Sequence, residues 1–223
     1  MFHRAFNVPV ISFLILSCIN MPACGSYLRT PEQTTSAFSA FTHIETDRLM
    51  LRKIRLEDAQ SLFTILSDVQ VIDNTAALEL HTSIDQTKEL IHQITNGYVA
   101  DSPQDWILIA ITDKTTGTLI GCCGFFGCAP LFGRAELGYF LSPQYWGKGF
   151  ITEAAHALLD FGFKKMQLNR IEATVYPENG ASIRVLEKIG MHYEGLLRQH
   201  VMRNGQFRNR QIYSILRNEW HAK

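Results

Sequence analysis

A chain of 223 residues, 46% hydrophobic and 19% charged, has the apolar content of one ordinary domain with a tail. Lys+Arg 21 balances Asp+Glu 21, which excludes nucleic-acid binding through bulk positive charge and an acidic disordered chain. The five cysteines, Cys18, Cys24, Cys122, Cys123 and Cys128, are odd in number, and two are adjacent. That pattern gives no disulfide framework, and no further soft ligands are spaced for a metal. Free, buried thiols in a reducing compartment are expected, with Cys122 and Cys123 on opposite faces of a strand.

The chain starts with a segment unlike the rest. An apolar run from Val8 to Ile19 follows His3 and Arg4 and is broken by Pro9, Ser12 and Ser17. A membrane span needs about 20 apolar residues, so none is expected here. The run has the shape of a signal-peptide core, with the small residues Ala23 and Gly25 near a cleavage point. Its removal leaves three cysteines, still odd. The preferred reading is therefore a non-functional extension, with Met21 as an alternative start. Arg29 to Ala40 reads as a Thr/Ser/Pro/Gln linker. Residues 1–41 are thus expected to be an extension, signal-like over 8–25, ahead of a folded domain over 42–223.

Within the domain, Arg48 to Ile54 reads as a strand. Leu56 to Leu66 carries Ala59, Leu62, Phe63 and Leu66 at helical spacing, and Ser83 to Tyr98 repeats the pattern. Trp106 to Ile111 and Thr118 to Phe126 form a hairpin across the polar turn 112–117. Ala135 to Leu141 is the next strand. The loop 142–150 leads into a helix over Ile151 to Lys165, with Ile151, Ala154, Ala155, Leu158, Leu159 and Gly162 on one face. Then come a strand, Arg170 to Val175, and a helix, Ala181 to Ile189, stopped by Gly190. Two last strands, His192 to Val201 and Phe207 to Leu216, flank the hairpin dipeptide Asn204-Gly205. The fold class is α/β, in its α+β form: a mixed sheet with helices on both faces.

The loop Gln144-Tyr145-Trp146-Gly147-Lys148-Gly149-Phe150-Ile151-Thr152 carries the chemistry. Two glycines one residue apart let the backbone curl so that successive N–H groups point inward. The following helix N-terminus adds unpaired donors and about half a positive charge, a geometry that binds phosphate. Lys148 is placed to add charge and Thr152 a hydroxyl. The loop is neither a P-loop nor a dinucleotide fingerprint, because both glycine spacings are absent. Alone, it reads as a tight turn as readily as a phosphate loop.

It is not alone. Thr46-Asp47-Arg48-Leu49, Ala135-Glu136-Leu137-Gly138-Tyr139, the loop itself with Thr152-Glu153-Ala154, Asn179 with Ser182, Glu187-Lys188-Ile189-Gly190-Met191 and Glu194-Gly195 occur in order. In these motifs the chain resembles the GCN5-related N-acetyltransferase (GNAT) family, in its branch of ribosomal-protein N-terminal-alanine acetyltransferases, from about Thr46 to Trp220. The resemblance implies a mostly antiparallel sheet splayed between its two middle strands. It implies acetyl-CoA as co-substrate, with its pyrophosphate on the amides of Gln144, Gly147, Lys148, Gly149, Phe150 and Thr152. The pantetheine arm would lie in the splay and pair with backbone near Phe140 and Leu141, and Asn179 would hold amide groups of the coenzyme. The acceptor is a primary amine, a protein N-terminus first, with association with a ribosome as the implied partnership. A small-molecule acetyltransferase for polyamines or aminoglycosides, and a binding module without turnover, are the alternatives. An enzyme using acetyl-CoA is expected in the cytoplasm.

Direct amine attack needs a base, an oxyanion donor and an acid for the thiolate. Glu136 is the first candidate base, since it alternates with Gly138 and Phe140 on one face of a central strand. Its structural alternative is an ion pair with Arg134 or Arg170. Glu172 is a weaker candidate, and Val201 stands where some relatives place an acid. Ser182 is the candidate acid, because the helix after Asn179 offers no tyrosine. His156 and His192 read as surface or packing residues. Arg198, Arg203, Arg208, Arg210 and Arg217 read as a solvated hairpin rather than a patch for acidic partners.

Overall fold

The adjacent Cys122 and Cys123 are both fully buried, and each enters a different hydrophobic core. They lie in a central strand covered on both faces, where successive side chains must point opposite ways. Burial pushes both thiols upward, so neither is a ready nucleophile. The computed structural model describes residues 41–75, 78–97, 106–129 and 132–221. The expected extension, Cys18, Cys24 and Tyr98 lie outside the described residues.

Eight strands make one sheet in the order β1-β2-β3-β4-β5-β6-β8-β7. They are β1 His43–Glu45, β2 Leu49–Lys53, β3 Ile107–Asp113, β4 Leu119–Ala129, β5 Arg134–Leu141, β6 Arg170–Val175, β7 His192–Arg203 and β8 Gln206–Leu216. Every pairing is antiparallel except β5 with β6. The helices are α1 Ala59–Leu66, α2 Val69–Ile72, α3 Ile84–Gly97, α4 Phe150–Lys164, α5 Gly180–Lys188 and α6 Arg217–His221. Helices α1 to α3 supply one core, around Leu62, Leu66, Ile91 and Ile94. Helix α4 supplies the other, through Ala154, Ala155, Leu158, Leu159 and Phe163, with Leu186 of α5 and Trp220 of α6.

The expected apolar face of α4 is the buried one, except that Ile151 is half-exposed at the helix mouth. Asn204 and Gly205 both take positive φ, 50° and 74°, as a tight hairpin turn requires. Strand β1 and the short helices α2 and α6 are not legible in the periodicity. Three to five residues are too few to show a period, and tertiary contacts form these elements.

The parallel pair gives the sheet its opening. Strands β5 and β6 pair only at Arg134↔Arg170, Ala135↔Ile171 and Glu136↔Glu172. Beyond Glu136, β5 stays on β4 while β6 stays on β8. The two strands therefore diverge, and their inner edges lose their partners.

Candidate active site

Two cavities of about 470 Å³ each meet at this divergence. One lies between the mouth of α4 and α5, and the other runs under α3 across the sheet. Asn74, Thr75, Tyr139, Phe140, Asn179 and Ser182 line both, so the space is continuous through the gap.

The first cavity is built on the turn before α4. Gly147 and Gly149 take φ of 73° and 79°, where a side chain would be strained. A Cβ on Gly147 would meet no protein atom within 4 Å, so the turn opens onto free space. Gly149 is the N-cap of α4 and has no side-chain cap, which leaves the first-turn amides without an acceptor from the chain. Gly147, Gly149, Phe150, Ile151 and Thr152 all line the cavity. Gln144 and Lys148 are exposed and do not line it. The Lys148 ammonium instead lies 5.6 Å from the Tyr145 ring. The cradle is thus made of backbone amides and one hydroxyl, and Ile151 joins it although its position on the apolar face gives no such signal.

An acidic residue in the first turn of such a helix would repel an anion. Here Glu153 is turned away and neutralised. It accepts from the Thr46 hydroxyl (2.5 Å), the Arg48 amide (2.9 Å) and Arg48 Nε (2.7 Å). Burial pushes the Glu153 carboxyl up, but these donors outweigh it and hold it below the usual range. The Arg48 guanidinium also donates to the Lys148 carbonyl at 2.9 Å and covers the Phe150 ring at 4.4 Å. The Thr46–Arg48 segment thereby clamps the turn. Arg48→Ala is expected to weaken acetyl-CoA binding by about tenfold, the cost of a charge-assisted bond. Because the Glu153 pKa is depressed, the clamp is fully formed above the normal glutamate pKa and is lost as pH falls through the lower folded value. Coenzyme titrations across that acid range check both statements.

The gap supplies further donors. Ser142 donates its N–H to Ile120 of the neighbouring segment at 2.9 Å. By the period of two, Phe140 also turns its amide toward β4, while Tyr139 and Leu141 turn theirs into the gap. The amides that face the gap here are therefore those of Tyr139 and Leu141, while Phe140 lines both cavities. The Leu141 carbonyl is taken by Trp146 Nε1 at 2.8 Å, which ties the turn to the strand.

Tyr139 is a functional candidate that strand periodicity does not mark, since the helix after Asn179 is where a tyrosine is expected. It reaches that helix from the opposite side, its hydroxyl donating to the Ser182 carbonyl at 3.4 Å. Burial pushes its phenol up, against the smaller opposing effect of that bond, so it stays protonated. Asn179 caps α5 by accepting from the Ser182 amide at 3.0 Å. Its amide nitrogen is left for the cavity, and Ser182 lines the same space.

Glu136 lines the second cavity. It does not pair with Arg134 or Arg170. Its Oε1 accepts from the Thr174 hydroxyl at 2.5 Å. The two arginines go instead to Glu172, at 4.0 and 2.9 Å. Arg170 also bonds Glu194, which accepts from Ser214 at 2.6 Å. Glu172 is thus part of a structural ion network and lies outside both cavities. In that network Arg170 first, then Ser214, holds Glu194 down to about 2. A depressed folded pKa means stability present above the ordinary 4.5 and lost as pH falls toward 2. The melting temperature should drop across that window, and Arg170→Leu should flatten the dependence.

The histidines stay outside the site. His156 is exposed and stacks on Trp220 at 4.5 Å, and His192 is exposed on β7.

The expected solvated hairpin holds for Arg198, which is exposed, but needs correction at Arg203 and Arg210, which turn inward. Arg203 donates to the carbonyls of Leu78 (2.9 Å) and Ile72 (3.1 Å), pinning the hairpin tip to the segment over the second cavity. Arg208 bonds Glu178, and Arg217 donates to the Leu168 carbonyl. Arg210 bonds the Thr174 carbonyl, lines the second cavity and keeps a buried Nε with no partner. A guanidinium N–H left so costs about 1–3 kcal/mol. Sequence alone could not show this, because facing depends on the β6–β8 register.

A strand pair that splays beside an amide-lined turn, with a second cavity entering the same gap, leaves room for two substrates to meet, the arrangement a group-transfer enzyme needs. The sequence matches the family described as "Acetyltransferase (GNAT) domain" over residues 48–192, and the chain belongs to that family. It is 38% identical to the uncharacterized N-acetyltransferase p20 of Bacillus licheniformis over 175 residues, 78% of this chain and 96% of that one. The solved acetyltransferase (GNAT family) of Bacillus anthracis superposes with a TM-score of 0.69 at 28% identity, covering 80% of this chain and 100% of that one. A spermidine N(1)-acetyltransferase of Escherichia coli is 36% identical over 90 residues, 40% of this chain and 48% of that one. The protein is an N-acetyltransferase, and its family uses acetyl-CoA. Among the described residues no helix is long and apolar enough to cross a membrane.

Proposed function

We propose that this N-acetyltransferase moves acetyl from acetyl-CoA to the α-amine of a protein N-terminus by direct attack. The observation that carries the reading is the meeting of the two cavities at the gap, with Glu136 on one side and the turn amides on the other. Acetyl-CoA supplies an activated acyl thioester. The amides of Gly149, Phe150, Ile151 and Thr152 hold its phosphates, and Asn179 holds its amide-bearing arm. Glu136 takes the proton of the attacking amine as the N–C bond forms, directly or through a water. An amide of Tyr139 or Leu141 donates to the oxyanion. The C–S bond then breaks, and the hydroxyls of Tyr139 and Ser182 are the donors for the departing thiolate. The place of action is the cytoplasm, where this thioester is made.

The test is a thiol-release assay over peptides with free and blocked N-termini, polyamines and aminoglycosides, with calorimetry for acetyl-CoA. Free peptides should release thiol and blocked ones should not. Binding of the coenzyme without release on any amine would leave a binding module in place of an enzyme.

A further inference from the structure

The second cavity lies across the sheet in strand order. Leu108 of β3 and Phe126 of β4 come first, then Glu136 of β5, Thr174 of β6 and Arg210 of β8. Trp106, Leu78 and Leu90 complete the apolar end. The polar end is joined by one residue: Thr174 donates its hydroxyl to Glu136 and accepts at its carbonyl from Arg210. Carboxylate and guanidinium are therefore about one residue apart, and Arg210 Nε–H is buried without a partner. Among the described lining residues Glu136 is the single acid.

We propose that this cavity is built for an α-amino acyl group: its amine on Glu136, its carbonyl or carboxylate oxygen on Arg210, and an apolar side chain against Trp106, Leu108 and Phe126. The inference rests on the acetyl-transfer reading and narrows its acceptor. A polyamine carries further ammonium groups, which need further carboxylates. Here they would meet an arginine at one end and an apolar wall at the other, and both are unfavourable. Arg210 lines the cavity, so its guanidinium offers a positive charge and donors to an acyl oxygen there.

The experiment compares a peptide beginning with Phe, free phenylalanine, phenylalaninamide, phenethylamine and spermidine in thiol release. Phenethylamine keeps the amine and ring but lacks the carbonyl. The α-amino acyl compounds should be preferred over phenethylamine and spermidine, and peptide against free amino acid distinguishes the two sources of the group. Arg210→Met should reduce the preference for phenylalaninamide over phenethylamine by at least about tenfold. Should that variant fail to fold, Arg210→Lys keeps the charge and loses the forked donor, and the wild-type comparison with spermidine stands without any variant. A preference untouched by either substitution, or spermidine as the better acceptor, overturns the inference. Calorimetry of phenylalaninamide on protein saturated with coenzyme A separates the two readings. Arg210-dependent binding without turnover sinks acetyl transfer and supports the cavity assignment. Turnover without a carbonyl preference does the reverse, and absence of binding by every α-amino acyl compound overturns the assignment.

Discussion

Glu136→Gln is expected to lower kcat/KM by about 10²–10⁴, the range for losing a positioned general base. The replacement keeps the shape and can still accept from the Thr174 hydroxyl, so the fold and acetyl-CoA affinity should hold. The deficit should widen as pH falls below the α-amine pKa of about 8, where the amine is increasingly protonated and its proton must be removed. Glu136 is suited to this because no arginine locks it: the neighbouring cations go to Glu172, Glu194 and the Thr174 carbonyl. Rates measured on both sides of that amine pKa decide the matter. A wild-type-like profile for the variant would remove Glu136 from the chemistry.

Gly147→Val should weaken acetyl-CoA binding by about 5–30-fold: the free turn relaxes out of the left-handed conformation, and binding must restore it at about 1–2 kcal/mol for a side-chain-bearing residue. A β-branched residue at φ 73° stands at the costly end of that range. No protein atom lies where its Cβ would go, so the substitution clashes with nothing in the chain. Gly147 lines the first cavity, so the added side chain stands at its wall. Calorimetry on the variant reads the loss directly. Unchanged affinity would mean that the turn does not hold the coenzyme.

The turn is legible in the sequence because its chemistry is local. Gly147 and Gly149 one residue apart, followed by an apolar helical period, specify curled backbone and a helix mouth within a dozen residues. The alternation of Glu136, Gly138 and Phe140 is legible for the same reason, since period two in a strand sets faces. Lys148 misleads because a charge near a phosphate turn looks useful, whereas its side chain leaves along the surface while its carbonyl serves Arg48.

What short-range pattern determined about this chain is therefore the order of the longer strands and helices, the glycine turn and the face carrying Glu136. Tertiary structure alone decided which cations Glu136 escapes, that Tyr139 reaches Ser182 from across the gap, that Arg203 and Arg210 point inward, and that Tyr139 and Leu141 rather than Phe140 present amides. Each of these depends on the register between segments far apart in the chain, and a one-residue slip in register reverses every face. Local propensity carries no term for that register; packing of the two cores against the splayed sheet sets it.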